Sequence, residues 1–236
     1  MSSGTSLFRN CLSKGGDYSC QFVHRAADTG GLFGSPATGG YIATGAQNTA
    51  LLLNEGVDVQ AGYDLSLGAL GRLGFDLTGV RLVTTGGKSA PDDSLHNCAG
   101  YFGPPQCYAP QPLWRHNLGA TWRPPWREAV VALTWRHIGP TRLAANSADP
   151  TISAGATPYA YEPFTRLEAY DYFDLGVSVR LRPGLTVRLV ANNLFDRTPP
   201  VVPSTFVDGT TNNPNTYTGT YDPLGRDLHL AFSLGF

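Results

Sequence analysis

Hydrophobic and polar residues alternate with a period of two along seven segments of this chain. One side of each segment carries mostly Leu, Val, Phe or Trp, and the other carries mostly Gly, Ser, Thr, Asn, Asp or Arg. Because successive side chains of a strand point to opposite faces of a sheet, this pattern predicts seven two-faced β-strands. The segments are residues 57–67, 73–78, 114–123, 131–136, 173–182, 185–191 and 226–236.

The connections between these segments alternate in length. Short turns lie at residues 68–71, 124–126 and 182–184. Loops of about thirty residues cover residues 84–113, 139–169 and 195–225. Connections in compact soluble domains are mostly about 4–6 residues long, whereas outer-membrane barrels combine short periplasmic turns with long extracellular loops. The pattern therefore predicts an all-β fold, namely an antiparallel transmembrane β-barrel segment of about seven or eight strands with long extracellular loops.

The two faces fit a lipid side and a lumen side. Lysine is nearly absent from the polar face, which suits a water-filled lumen. Trp114 and Trp122 share one face of one segment, and their separation corresponds to roughly 20 Å of height, close to the ~25 Å apolar band between two aromatic girdles. We therefore assign Trp114, Trp122, Trp126 and Trp135 to an aromatic girdle. The alternative is that they belong to the core of a β-sandwich.

The first fifty residues carry weaker signals. Residues 7–12 predict a helical turn, and residues 41–44 predict a short strand in an outer loop. The opening residues lack the apolar core of a signal peptide, so we expect none in this chain. With no convincing linker, we expect a single domain over residues 1–236.

Composition narrows the function classes. Charged residues make up 15% of the chain, and its 28 Gly and 18 Pro favour strands and turns. The net charge of −1 provides no basic field, so nucleic acid is not an expected partner. No apolar run approaches the 18 or more residues of a transmembrane helix.

The four cysteines form two sequence pairs with the same spacing, Cys11 with Cys20 and Cys98 with Cys107. Both pairs lie among loop-forming residues, and we expect structural disulfides, which require an oxidising compartment. A zinc site or free thiols are the alternatives. The zinc alternative is weaker because His24 and His96 do not stand at ligand spacing.

The end of the chain resembles a known family. The segments "RLVANNLFDRTPPVV" and "YDPLGRDLHLAFSLGF" are similar to the C-terminal barrel region of TonB-dependent outer-membrane receptors. Ala231 and Leu234 depart from the Gly and aromatic residues usual in the last strand of that family. The residues that match the family motif are Asn192, Asn193, Leu194, Phe195, Asp196, Tyr221, Asp222, Pro223, Gly225, Arg226 and the terminal Phe236.

The resemblance implies energised uptake of a scarce nutrient, such as a ferric siderophore, a cobalamin-like molecule or an oligosaccharide, across the bacterial outer membrane. It implies a barrel of about 22 strands, of which this chain would be the C-terminal portion, without the plug domain through which TonB would act. The expected partners are outer-membrane lipid, the barrel-assembly machinery, which would recognise the last strand, and the missing N-terminal barrel and plug. The small-molecule substrate stays unidentified.

No catalytic constellation, cofactor motif or metal motif is present, so we expect no enzyme activity. Two interpretations stay open for His116 and His137: they are diagonal neighbours across a hairpin or, more simply, members of an interfacial aromatic belt. Asp92 and Asp93 suggest either calcium or, more simply, solvated acids. Asn192, Asn193 and Asp196 are expected to form a turn rather than a ligand site.

Aromatic residues of the long loops are the candidates for contacts with substrate. They are Tyr101, Phe102, Tyr108, Tyr159, Tyr161, Tyr217 and Tyr221. Two alternative functions stay open: a soluble, secreted β-sandwich binding module with two disulfides, and a truncated receptor fragment without a function of its own.

Overall fold

The computed structural model describes residues 4–15, 17–35, 37, 39–45, 50–88, 90–126, 128–206 and 215–235. The α-helices are α1 (Gly4–Lys14), α2 (Asp17–Cys20) and α3 (Pro150–Ser153). The strands are β1 (Val23–His24), β2 (Tyr41–Ile42), β3 (Leu51–Ser66), β4 (Arg72–Lys88), β5 (His96–Asn97), β6 (Tyr101–Phe102), β7 (Trp114–Arg123), β8 (Ala129–Ile138), β9 (Thr141–Leu143), β10 (Arg166–Leu167), β11 (Tyr170–Arg182), β12 (Leu185–Asn192) and β13 (Asp227–Leu234). Short 3₁₀ helices cover Gly68–Leu70, Ala144–Asn146, Glu162–Phe164 and Ser204–Phe206.

The seven predicted strands form one large antiparallel sheet, which confirms the all-β class. The order across the sheet is β13-β12-β11-β8-β7-β4-β3, and β5 pairs with the end of β4. The seven long strands follow one another across the sheet in chain order, as expected for antiparallel strands joined by turns and loops. Several strands are longer than predicted, and β4 continues to Lys88, inside the segment predicted as a loop.

The predicted short turns connect strands as expected. At the first of them Gly71 has a φ of +92°, and a Cβ added there would lie 2.1 Å from the carbonyl oxygen of Arg123 on the neighbouring strand. Only glycine fits this position, because it tolerates positive φ and brings no side chain. The turn between β3 and β4 therefore requires glycine at position 71.

One face of the sheet is uncovered and apolar. Leu228, Leu230, Phe232 and Leu234 of β13 are 61–65% exposed, and Leu189 and Leu133 point to the same face from β12 and β8. We call this surface the apolar face and the opposite one the polar face. A β-sandwich would bury such side chains beneath a second sheet, so their exposure argues against the sandwich alternative.

The hydrophobic core lies among the long loops instead. Strands β10, β9 and β6 form a small sheet in that order, with β9 and β6 parallel. Together with the loops that flank them we call this region the loop assembly. Its core residues are all at most 7% exposed, and β11 contributes one of them. They are Phe102, Leu143, Leu167, Tyr172, Val202, Phe206, Tyr217 and Tyr221.

The described residues belong to two compact units, one of residues 1–54 and 85–97 and the other of residues 55–84 and 98–236. The first unit contains α1, α2 and the pair β1–β2. The helical turn predicted over residues 7–12 is part of α1, and the short strand predicted at residues 41–44 is β2, whose partner is Val23–His24. Within the described residues, none of the helices has the length and apolar character needed to cross a membrane.

Candidate functional site

The polar face carries a bidentate ion pair between β8 and β11. Arg136 donates from Nε to Oδ2 of Asp174 at 2.6 Å and from Nη2 to Oδ1 at 3.0 Å. The Arg136 guanidinium also lies 4.9 Å from the ring centroid of Tyr172, its partner across the strands. Such a fork fixes both side chains, because two parallel charge-assisted bonds add geometric specificity to energy.

Asp174 also connects this pair to residues 193–197, in the first of the two segments that resemble the receptor family. The backbone N–H of Asn193 donates to Oδ1 of Asp174 at 2.8 Å. Asn193 is 1% exposed, has a φ of +51°, and exchanges two hydrogen bonds between its side-chain amide and the backbone of Arg197. Asparagine tolerates the left-handed backbone conformation better than most residues, and its side-chain amide makes hydrogen bonds to the backbone that hold the turn together. This geometry is that of a structural turn.

The second motif segment is attached to the same turn. Asp196, with a φ of +56°, accepts from the backbone N–H of Arg226 at 2.8 Å. A Cβ on Gly225 would lie 2.8 Å from the Asp196 carboxylate, and the φ of Gly225 is +75°. The backbone N–H of Asp222 donates to the hydroxyl of Tyr172 at 3.2 Å. We call the set Asp174, residues 193–197 and residues 222–226 the motif latch.

The remaining motif residues lie around this latch. Asn192 ends β12 opposite Asp227, and Leu194 donates its backbone N–H to the carbonyl oxygen of Phe173 at 2.7 Å. Phe195 is exposed and contacts Phe173 edge to face, whereas Tyr221 is buried against Tyr170. Pro223 is exposed within the latch. Phe236 lies outside the described residues.

A cavity of about 360 Å³ opens on the polar face, near the end of the sheet where the loops begin. Strand side chains supply donors and acceptors, and loop residues 110, 112, 219 and 220 complete the lining. The main polar groups are Asp58, Gln60, Thr78, Arg115, Asn117 and Arg136. Arg136 is already paired with Asp174, whereas no ion pair involves Arg115 within the described residues. The cavity therefore suits a polar small molecule that can use both donors and acceptors.

Aromatic side chains lie at both ends of β7. At the loop end, Trp114 Nε1 donates to Nδ1 of His116 at 2.9 Å, and the ring centroids of His116 and Trp135 are 4.6 Å apart. At the turn end, Trp122 and Trp126 meet edge to face at 6.0 Å. The placement of the four tryptophans in a lipid girdle stays a prediction.

The two histidines of this aromatic group require a correction. His116 and His137 are directly opposite in the register of β7 and β8, with stacked rings 5.1 Å apart, and are not diagonal neighbours. The alternating pattern does not determine which residues of β7 and β8 pair, so it could not predict this register. His137 Nδ1 lies 2.7 Å from Oδ1 of Asp171, which also accepts from Trp135 Nε1 at 2.7 Å.

Three of the seven loop aromatics proposed for substrate contact belong to the loop core. Phe102, Tyr217 and Tyr221 are 0%, 7% and 2% exposed, so this part of the prediction was wrong. Burial raises the pKa of the Tyr217 and Tyr221 phenols well above their ordinary value, so both stay neutral. The exposed ones are Tyr108, Tyr159 and Tyr161, and Tyr101 is partly buried.

Both cysteine pairs form disulfides, as expected. Cys98 and Cys107 are buried with Ala144 and Ile152, and Tyr101 packs against this group. The pair Cys11–Cys20 lies in the first unit, between α1 and α2. The described residues contain no cluster of three or more His, Cys, Asp or Glu side chains able to hold a metal ion.

Asp92 and Asp93 are not simply solvated acids. Asp93 accepts from the side-chain amide of Asn10 at 2.6 Å, and Asp92 accepts from the backbone N–H of Ser19 at 3.1 Å. They attach the segment after β4 to the two N-terminal helices of the same unit. Sequence reasoning missed this role because no local pattern links residues that lie more than seventy positions apart.

Asp174 and Tyr172 are further residues that the sequence did not single out. Both lie on the polar face of β11, and the signal that was available is an aspartate on this strand and an arginine on the polar face of the neighbouring strand β8. Asp174 lies two residues along β11 from Tyr172, the register partner of Arg136. Asp174 and Arg136 are therefore diagonal neighbours, within reach of long side chains.

No protein-family model matches the sequence, and no curated protein matches it. Among solved structures, the chain is similar to two variants of the ferric enterobactin receptor PfeA from Pseudomonas aeruginosa. Each has a TM-score of 0.46 and 14% sequence identity, over 78% of this chain and 22% of the receptor chain. This chain thus spans about a fifth of that receptor's length. A similarity of this degree assigns neither a family nor a function to the chain.

Proposed function

We propose that this chain forms the C-terminal part of the barrel wall of a TonB-dependent outer-membrane receptor, which takes up a scarce nutrient. The observation that carries the proposal is the uncovered apolar face of the main sheet. On β13 alone, every second side chain from Leu228 to Leu234 is large, apolar and more than 60% exposed. Contiguous exposed apolar surface of this kind marks contact with a membrane or another protein.

The energetics favour hydrocarbon as the contact. Burying one Leu or Phe side chain contributes about 1.5–3 kcal/mol, so leaving a whole row in water forfeits an amount comparable to the stability of a small domain. A bilayer covers the row without requiring a complementary protein surface. The polar face, with its arginines and its cavity, is the face expected toward an aqueous lumen.

The edges of the sheet support a larger barrel. Among the described strands, β3 and β13 each have a neighbour on one side only. Unpaired backbone groups in lipid cost several kcal/mol each, so both edges need partner strands, from the rest of a barrel or, when this chain is expressed alone, from further copies of it. In the proposed receptor, the rest of the barrel supplies the partner strands, the plug gives access to TonB, and β13 is the strand that the assembly machinery recognises.

The cavity on the polar face is the proposed contact for the nutrient within this part of the wall. Its lining offers carboxylate, amide, hydroxyl and guanidinium groups, which suits a polar siderophore, a cobalamin-like molecule or an oligosaccharide. The motif latch holds β8, β11 and the last loop together beside it through Asp174. We assign the latch a structural role and not a contact with the nutrient.

Fractionation tests the proposal. The full chain is expressed behind a bacterial signal peptide, and the outer membranes are separated from the periplasmic fluid. We expect the chain in the outer-membrane fraction, extracted only by detergent. A monodisperse chain in the periplasmic fluid would contradict the proposal and favour a secreted binding module. A variant in which Leu228, Leu230 and Phe232 are changed to Ser removes most of the exposed apolar row of β13, and it should lose membrane association.

A further inference from the structure

Three side chains form a row across the small sheet of the loop assembly. Arg166 of β10 is the register partner of Arg142 of β9, and Arg142 is the register partner of Tyr101 of β6. Residues at one level of adjacent strands share a face of the sheet. We call Arg166, Arg142 and Tyr101 the donor row.

The opposite face of the same strands is anchored in the core. Phe102, Leu143 and Leu167 alternate with the donor row and are 0%, 1% and 3% exposed. The Cys98–Cys107 disulfide packs against Tyr101 from the side. The buried face and the disulfide fix the backbone beneath the donor row, so the ordering cost of binding is limited to its side chains.

The electrostatics of the row are unbalanced. Like charges directly opposite each other on neighbouring strands are destabilising. Arg166 Nε lies 2.9 Å from Oε1 of Glu168, an exposed pair that offsets the charge of this one guanidinium. Within the described residues no ion pair involves Arg142. Two guanidinium groups therefore share one small surface with a single ion-paired carboxylate among the described residues.

The row lines an open cleft of about 460 Å³, and no acidic residue is among the described residues of its walls. The polar neighbours already have partners. Asn146 exchanges two hydrogen bonds with the backbone of Tyr159, and Thr165 donates to the carbonyl oxygen of Glu162. Ser147 Oγ donates to the Tyr101 hydroxyl at 3.3 Å, which leaves the Tyr101 proton to point elsewhere. Among the described side chains of the cleft, the groups still able to bind a ligand are therefore the hydrogen-bond donors of Tyr101, Arg142 and Arg166.

We propose that this cleft binds the oxyanion group of a small molecule, a phosphate or a carboxylate. Its oxygens bridge the guanidinium groups of Arg142 and Arg166 and accept from the Tyr101 hydroxyl. Guanidinium forks match carboxylate and phosphate geometry, and both groups carry enough lone pairs for three donors. The site lies outside the polar-face cavity and does not rest on the proposed function, since its residues belong to the loop assembly.

Calorimetric titration of the full chain with inorganic phosphate and with citrate tests the proposal. We expect saturable binding of at least one probe at low ionic strength, weakened by added NaCl. Arg142→Gln, Arg166→Gln and Tyr101→Phe should each lower the affinity by about tenfold or more, since all three donate to a charged acceptor. The probe that binds identifies the oxyanion class.

Arg182→Gln is the matched control, because Arg182 is an exposed arginine at the C-terminal end of β11, whereas the loop assembly adjoins the N-terminal end of that strand. It should change the affinity less than twofold. No saturable binding of either probe, or an equal loss in Arg182→Gln and Arg142→Gln, would overturn the proposal. Should Arg142→Gln fail to fold, Arg142→Lys keeps the charge and loses the fork, and it should still bind more weakly than the wild type.

Discussion

The main sheet and the loop assembly use hydrophobic residues in opposite ways. In the loop assembly the large side chains meet in a core that is at most 7% exposed, stabilised beside it by a disulfide. In the main sheet the large side chains stand uncovered on one face, and the polar side chains pair on the other. The loop assembly is thus built to be stable in water, whereas the sheet needs a second apolar phase or partner.

The largest loss of stability is expected from a substitution in the core of the loop assembly. Phe102→Ala removes a fully buried ring from the loop core and should lower the free energy of unfolding by about 3–5 kcal/mol. Urea titration in detergent micelles, followed by protease cleavage of the loops, measures the change. Phe195→Ala is the matched control, since Phe195 is 70% exposed beside the sheet, and it should cost under about 1 kcal/mol. Equal losses in the two variants would remove the contrast.

A charge placed on the apolar face is the next test. Leu230→Arg should lower the stability of the chain in lipid bilayers by about 2–4 kcal/mol, the cost of arginine near the middle of the membrane. Ser233→Arg, on the polar face of the same strand, should cost far less. Refolding into lipid vesicles at increasing urea compares the two. If both substitutions are tolerated equally, the apolar face does not contact lipid.

Pairing on the polar face should have a smaller effect. Asp174→Asn keeps an acceptor for the backbone of Asn193 but removes the charge that Arg136 pairs with, so we expect a loss of about 1.5–3 kcal/mol. Asp64→Asn changes an exposed aspartate of the same face and serves as the control. An unchanged stability in Asp174→Asn would show that the motif latch does not depend on this carboxylate.

The smallest expected effect concerns pH and the first unit. Burial lowers the pKa of His96, against the opposing influence of Asp93. Below the ordinary histidine pKa of about 6.5, the unfolded chain therefore takes up a proton before the folded one, and the folded state loses stability as pH falls. Unfolding at pH 7.5 and pH 5.5 should show a smaller decline for His96→Gln than for the wild type. An identical decline in both would exclude His96 as the cause.

The same two regions differ in how far the sequence predicts them. The long strands alternate with a strict period, so all seven were predicted, and Gly71 marks a turn that only glycine can adopt. Strands β6, β9 and β10 have two or three residues each and pair across distant loops, so they are too short for a hydrophobic periodicity to predict them. For the same reason Phe102 was assigned to ligand contact, although it lies in the core.

The candidate site shows the same limit. Asn193 and Asp196 were predicted as turn residues from their side-chain chemistry, and the structure places both at positive φ. Their connection to Asp174 and Arg226 depends on strand register and on a loop of about thirty residues, neither of which composition determines. The donor row depends on the pairing of three separate segments and was not foreseen.

A nitroxide scan along β13 in reconstituted outer-membrane lipid tests whether the apolar face contacts hydrocarbon. Single spin labels at positions 228 to 233 report collisions with oxygen, which concentrates in hydrocarbon, and with a water-soluble nickel complex. We expect oxygen accessibility to peak at Leu228, Leu230 and Phe232, and nickel accessibility to peak at His229, Ala231 and Ser233. Equal accessibility at all six positions, or nickel contact at the leucines, would contradict the assignment of the apolar face to lipid.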